Sequence, residues 1–501
     1  MCLIQSTARE SRVRLRLPET GARRWHVFLL QALERRGHPV EVEFSGPAPA
    51  EVPGLTLLRL IEQTLYQSRA RGENDAAAAV GPSAFRNNRQ MLAPDLVLDL
   101  TAAPRPCGNL PVLVPVFDGI ADPAALVWAL IEARPAHIGW QRLADSETVA
   151  AGTVATRARH ILTQGLSEAL ASVAMLAPRA AAAASLAPSA TGATAHAPAR
   201  LPPLALPRFA LGTLIDRVRR RADRTLKEPR QWNIGWRPLA AAEPGLVDSG
   251  RIEAAAYRWL PKQDGRYFAD PFPFEHQGRL HLFCEEFVYA TGRGLISVMD
   301  MGADGGFSAP RPVLEHEVHL SYPCVFRWGD GIYMLPETSA AATLELYRAE
   351  AFPLHWRKVA VLAENMLAVD ATFFEHDGLC WIAAATAGPG TSDRDSCSLF
   401  FAERPEGPWT PHPGNPVVVD AYGARPAGHL QRRGDRLLRP AQDCSQGYGW
   451  GLSIRRIDQL DRERFSETEL VRLSPPSMLR ATGLHTVNRA GSIETIDAIL
   501  P

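Results

Sequence analysis

The stretch Tyr267–Glu286, YFADPFPFEHQGRLHLFCEE, decides how the larger part of the chain is read. A short segment of small and polar residues leads into an apolar strand pattern, a turn at Gly278 and an alternating strand. Four later stretches follow the same plan: LSYPCVFRWGDGIYMLPET (320–338), AVDATFFEHDGLCWIAAAT (368–386), GARPAGHLQRRGDRLLRPAQD (423–443) and GLHTVNRAGSIETID (483–497). Their turn glycines, 278, 331, 378, 434 and 491, lie 53, 47, 56 and 57 residues apart. A period of about 50 residues matches four-stranded sheets arranged around an axis. Five units predict an all-β five-bladed propeller over 231–500. The segment from QWNIGWRP (231–238) to AAAYRWLP (254–261) predicts the strands that close the ring and leave no free sheet edge.

Two further zones precede it. Residues 12–165 alternate strand and helix patterns: RVRLRL, HPVEVEF, APDLVLDL and LPVLVPVF read as strands, GARRWHVFLLQALERRG and DPAALVWALIEARP as helices. This predicts an α/β, Rossmann-like domain with a parallel sheet. No GxGxxG follows the first strand, so a dinucleotide site is not supported. Residues 166–230 read as an Ala/Pro-rich linker followed by a short basic helix, GTLIDRVRRRADRTLKE, with Leu214, Val218 and Ala222 on one side. That helix is either a solvated connector or a surface that meets anionic lipid heads or a partner.

Composition narrows the function classes. The chain has 501 residues, 46% of them hydrophobic, and a formal net charge of zero. That argues against a nucleic-acid binder held by a broad basic face. Lys occurs only at 227, 262 and 358, and with the many Ala and Arg this suggests GC-biased codons and a bacterial source. Seven scattered Cys with no CxxC pair suggest reduced thiols and a cytoplasmic protein, with no zinc site. The amino terminus shows no apolar signal region, and no run reaches 18 apolar residues, so neither a signal peptide nor a spanning helix is expected. Peripheral contact with the inner membrane stays open, as does the oligomeric state.

In a propeller the starts of the innermost strands face the central channel. Matched positions of the five units are Asp270, Ser321–Tyr322–Pro323 with His319 before them, Asp370, Arg425, and His485 with Thr486. Glu285, Glu286, Glu337 and Asp443 come later in their units. Asp270 stands among seven residues that are aromatic, Ala or Pro, where ionising a carboxyl group is costly.

Residues 231–500 resemble the amino-terminal domain of plant glucosamine inositolphosphorylceramide transferases and its bacterial homologues. The resemblance rests on QWNIGW, FADPF, LSYPCVF, MLPET, VDATFFEHDG, ARPAG, RPAQDCSQGYGWG and GLHTVN. More remotely, the region is similar to glycoside hydrolase family 43, five-bladed propellers that cleave glycosides by inversion. That likeness implies an Asp base in the first blade, matched by Asp270, and an acid-tuning Asp in the third, matched by Asp370. The family's fourth-blade Glu acid has no counterpart, because Arg425 stands in that part of the motif. Residues 12–165 resemble the amino-terminal half of formyltransferases. Asn87 and Asn88 in FRNNRQ are not followed by that family's His-Pro-Ser-type loop, so a degenerate relative is implied.

An Arg cannot act as a proton donor near neutral pH, but its forked donors hold phosphate or carboxylate. A phosphate leaving group needs charge stabilisation more than protonation. Arg425, with Arg439 near it in sequence, therefore favours glycosyl transfer in surface glycan or glycolipid synthesis, either from a phosphate-activated sugar such as a nucleotide sugar or onto a phosphate-bearing acceptor, with no cofactor firmly implied. In that reading Asp270 is the base, Asp370 orients the substrate or Arg425, and Glu337 is the reserve acid. His319, Tyr322, Arg425, Arg439, Asp443, Tyr448 and His485 form the substrate-binding set, with Trp450 a further stacking candidate and no metal. The alternatives are an inverting glycoside hydrolase and a glycan-binding propeller without catalysis. The plant relatives carry a separate glycosyltransferase domain after this one, so the last alternative makes the propeller a partner of such a domain.

Overall fold

The computed structural model describes residues 11–66, 72–85, 93–184, 202, 204–226, 231–240 and 243–501. Asn87 and Asn88, residues 185–201 of the expected linker and the side chain of Ala222 lie outside that set. The chain divides into two compact units, Met1–Leu226 with Gly388–Ser392, and Lys227–Ala387 with Asp393–Pro501.

The first unit is a mixed α/β sheet. Its strands are β1 (Val13–Leu17), β2 (Val40–Phe44), β3 (Leu96–Asp99), β4 (Val112–Phe117), β5 (Ala136–Arg142) and β6 (Thr148–Val154), in the order β2-β1-β3-β4-β5-β6. Pairing is parallel from β2 to β4 and antiparallel from β4 to β6. All four residues of β3 are buried, as a strand with both faces covered requires. Helices α1 (Arg24–Arg35), α2 (Leu55–Tyr66) and α3 (Pro123–Ile131) connect the strands. Asp122 caps α3 by accepting from the Ala124 amide.

The linker reading of residues 166–184 is corrected: they belong to a long helix, α4 (Leu162–Ala184), which packs on α1, β5 and β6. Alanine has the highest intrinsic helix propensity, and its small side chain lets backbones approach closely. Ala177, Ala180 and Ala181 are fully buried, so a low content of bulky residues did not mean a missing core. The basic helix runs over Ala205–Leu226 as α5.

The second unit is a ring of five antiparallel sheets. Blade 1 holds strands Arg266–His276, Arg279–Val288, Arg293–Asp300 and Arg311–Leu314, and blade 2 holds Ser321–Trp328, Gly331–Thr338, Thr343–Ala351 and His355–Glu364. Blade 3 holds Leu367–His376, Leu379–Ala387, Ser396–Ala402 and Thr410–Pro411. Blade 4 holds Gln431–Arg433, Arg436–Asp443, Gly451–Leu460 and Phe465–Leu473. Two-residue turns join the first two strands of blades 1 and 3, with φ positive at both Gln277–Gly278 and Asp377–Gly378, as a hairpin of right-handed twist needs.

Blade 5 is shared by distant segments. Strands Val487–Ala490 and Ile493–Leu500 are completed by Gln231–Pro238 and Arg258–Trp259, with Leu500 opposite Gln231 and Ile493 opposite Pro238. The expected closing strands are thus where the ring needs them. Glu494 fastens the joint. Its buried carboxylate accepts from Arg237 Nε (2.8 Å), the Tyr257 hydroxyl (2.7 Å) and the Leu246 amide (2.6 Å). Removing one member of a buried, hydrogen-bonded ion pair leaves the other charge unpaired. Glu494→Ala is expected to destabilise the propeller by about 3–5 kcal/mol, read as a lower midpoint in denaturant unfolding. An unchanged midpoint removes Glu494 as the fastening.

Candidate functional site

The innermost strands of blades 1, 2 and 3 share an irregularity. Asp270, Tyr322 and Asp370 each have positive φ, at 51°, 46° and 53°. At each of them the register with the neighbouring strand slips, between Phe283 and Glu285, between Ser321 and Cys324, and between Val369 and Thr372. These are β-bulges in matched places, and each turns a backbone N–H toward a carboxylate.

The three amides reach across blade boundaries. Asp270 N–H donates to Asp497 Oδ2 of blade 5 (2.9 Å), Tyr322 N–H to Asp270 Oδ2 of blade 1 (3.1 Å), and Asp370 N–H to Glu337 Oε2 of blade 2 (3.1 Å). Asp370 Oδ2 accepts from Arg425 Nε (2.5 Å) and Gln442 Nε2 (2.6 Å). Asp270 Oδ1 accepts from the Thr486 hydroxyl (3.0 Å) and lies 3.6 Å from His485 Nε2. His485 Nδ1 is 2.7 Å from Asp497 Oδ2, and its ring stacks on Trp232 at 3.9 Å. Asp270, Asp370, Glu337, Arg425 and His485 are therefore brought together, and all are buried.

Burial beside other acids raises the proton affinity of Asp270, Glu285 and Glu337. Burial pushes the Asp270 carboxyl up to about 6, with Asp497 and Asp370 adding to it and His485 opposing. Burial and the Asp370 charge push Glu337 up to about 8, against Arg425 and the Ser339 hydroxyl bond. Burial, Asp270 and Glu337 hold Glu285 well above the carboxylate range. Its Oε1 is buried with no hydrogen bond among the described residues, and His319 Nε2 lies 3.5 Å away. Burial opposes the charged form of His485, yet the carboxylates of Asp497 and Asp270 raise it. Burial likewise opposes the Arg425 charge, and Asp370 and Asp393 outweigh it.

Arg425 Nε is committed to Asp370 and Nη1 lies 3.5 Å from Asp393, while Nη2 makes no hydrogen bond among the described residues. The Tyr448 ring lies over this guanidinium, 4.8 Å from centroid to Cζ, and is 40% exposed. It offers a stacking surface at the edge of the cluster. Asp270, His485 and Asp497 could present ligand atoms to a cation within 4.8 Å of one another. A cation there would have to displace the hydrogen bond between His485 and Asp497.

Other predicted residues have different placements. Arg439 is corrected from substrate binder to brace: its guanidinium is buried against both Glu467 oxygens and the carbonyls of Gly423 and Ala424. Tyr322 is corrected from stacking surface to wall. Its ring is fully buried, and its hydroxyl is held by Thr372 (2.8 Å) and the Gly428 amide (2.6 Å). Asp443 accepts from the Ser445 amide and closes a turn, without an acid of the cluster among its partners. His319 accepts from the Gly294 amide through Nδ1. Glu286 pairs with Ser297 and Arg266, so of the two adjacent acids only Glu285 joins the cluster. Asp497, Gln442 and Trp232 were not anticipated. Asp497 stands six residues beyond turn glycine 491, as Glu337 stands six beyond 331, and that spacing is a signal for it.

Residues 258–480 match the family model described as Glucosamine inositolphosphorylceramide transferase 1, N-terminal. Glucosamine inositolphosphorylceramide transferase 1 of Oryza sativa subsp. japonica is 35% identical over 207 residues, 40% of this chain and 27% of that protein. The protein of the same name from Arabidopsis thaliana is 32% identical over 241 residues, 47% of this chain and 31% of that protein. The chain thus spans less than a third of the length of these relatives. They are plant proteins, which overturns the expectation of a bacterial source. Among solved structures, a thermostable family-43 glycoside hydrolase is similar at 14% identity and a TM-score of 0.34, over 42% of this chain and 77% of that one. A β-xylosidase is similar at 15% identity and a TM-score of 0.31, over 40% and 74%.

The raised Glu337 carboxyl has a consequence for stability. Its affinity for a proton is higher in the fold (about 8) than in the open chain (4.5), so stability is lost as pH rises from about 4.5 to about 8. Glu337→Gln needs no proton and is expected to flatten that decline, with a gain on the order of 2 kcal/mol at the alkaline end. Denaturant unfolding across this pH range checks it; parallel curves for the two proteins would show an ordinary carboxyl.

Proposed function

We propose that the propeller handles the sugar in a glycosyl-transfer reaction of surface glycan or glycolipid synthesis, with its site at the acid cluster. The observation that carries this reading is the convergence of Asp270, Asp370, Glu337 and Arg425 in one buried hydrogen-bonded network. The match of residues 258–480 to a transferase family, and relatives named as transferases, supports the reaction class. At neutral pH a carboxyl titrating at about 6 is mostly ionised, so Asp270 is the base that takes the proton of the attacking hydroxyl. Asp370 fixes the Arg425 guanidinium, and Nη2 of Arg425 is the donor for a phosphate oxygen of a nucleotide-sugar donor or of a phosphate-bearing acceptor. Tyr448 supplies the stacking face for the sugar ring.

One observation favours glycoside hydrolysis as the second reading. Glu337, titrating at about 8, holds a proton at neutral pH, as the acid of an inverting pair must. Two carboxyls with separated titrations would then divide the roles of base and acid.

Incubation with a panel of nucleotide sugars and lipid or glycan acceptors separates these readings. Transfer releases nucleotide and yields a glycosylated acceptor; hydrolysis yields free sugar from a glycoside without an acceptor. Asp270→Asn is expected to lower turnover by at least about a hundredfold while leaving the circular dichroism spectrum of the fold unchanged. Full activity in that variant removes Asp270 as base. Binding without product in the wild type, lost in Arg425→Ala, would mark a glycan-binding module instead.

A further inference from the structure

We infer that the first unit carries a surface that lies on anionic lipid bilayers, formed by α2 and α5. The two helices are neighbours: the Tyr66 hydroxyl donates to the Thr213 carbonyl (3.4 Å), and the Arg217 guanidinium lies 5.4 Å from the centroid of the Tyr66 ring. Helix α5 meets the rest of its unit through Ala205, Leu206 and Thr213, which are buried. At 3.6 residues per turn, Leu211, Leu214, Ile215 and Val218 form one stripe on the opposite side. These four side chains are between 42% and 64% exposed. Leu57, Leu60 and Ile61 repeat the pattern on α2, buried on its Leu58–Glu62 side and exposed along these three.

A helix whose apolar stripe faces away from the described rest of its own unit is built to meet another apolar medium. The charge of α5 says which one. Its sequence ALPRFALGTLIDRVRRRADRTL holds six arginines against two aspartates. Arg208 and Arg217 are exposed on either flank of the stripe. Long cationic side chains beside an apolar stripe reach up to lipid phosphates while the stripe sinks below them. No helix among the described residues is long and apolar enough to cross a membrane, so the contact is one of lying on the surface. Each arginine near an anionic leaflet adds about 1 kcal/mol, and that part weakens with salt.

Flotation of the full chain tests this, with vesicles of phosphatidylcholine alone and of phosphatidylcholine mixed with phosphatidylglycerol. The expected result is binding to the mixed vesicles, weakened by salt and much poorer with phosphatidylcholine alone. Leu214→Asp combined with Val218→Asp is expected to lower the partition at least about tenfold. Both positions are exposed, so the circular dichroism spectrum should not change. No flotation with either vesicle, or equal flotation of the variant, overturns the proposal. So does a concentration-dependent dimer that the same substitutions abolish without any flotation, since the stripe would then be a self-association face. No sugar donor enters the assay, so its failure leaves the reading of the propeller site untouched.

Discussion

Everything at the centre of the propeller depends on three backbone amides bent out of their strands. Left-handed backbone at a non-glycine residue costs about 1–3 kcal/mol, and Asp270, Tyr322 and Asp370 all adopt it. Hydrogen bonds from those amides to carboxyl oxygens of Asp497, Asp270 and Glu337 offset part of the cost, because a buried N–H left without a partner is expensive. The same bonds stitch blade 5 to blade 1, blade 1 to blade 2 and blade 2 to blade 3. The acids thus help to hold the ring together, and the ring buries them close enough to raise the proton affinity of Asp270, Glu285 and Glu337. Fold and chemistry share one set of contacts.

Arg425 completes this arrangement from blade 4. It neutralises one side of the cluster through Asp370 and keeps part of its guanidinium outside the network. A cluster that contains both a protonated carboxyl and a fixed cation can stabilise charge and move protons without large side-chain motion.

Much of this was legible in the residues, and the illegible part has physical reasons. The spacing of turn glycines announced the blades, because a two-residue hairpin needs φ > 0 at positions such as Gly278 and Gly378. The parallel between Asp270 and Asp370 announced that the two acids converge, since polar residues at matched places before aromatic strands have no place in a regular core; the bulges that carry them were not read. What periodicity could not tell was orientation. Glu285 and Glu286 are neighbours in sequence, yet strand alternation sends one to the cluster and the other to Ser297. Arg439 and Arg425 look alike in sequence, but burial against Glu467 takes the first out of the site. Tyr322 was read as a sugar platform because aromatic rings serve both purposes, and only packing tells a wall from a platform. Helix α4 was missed because alanine-rich stretches serve equally as linkers and as closely packed helices.

The shared fifth blade also has a temporal consequence. Arg237 and Glu494, which meet in it, are 257 residues apart in the chain. His485 and Asp497 come from the same late segment and complete the acid cluster. On a ribosome, blades 1 to 4 would emerge before these residues exist, so a nascent chain has no finished acid cluster and an open edge on its first strand. The acid cluster is complete only once the strand Ile493–Leu500 has been made, and a chain cut short by that strand leaves the ring unclosed.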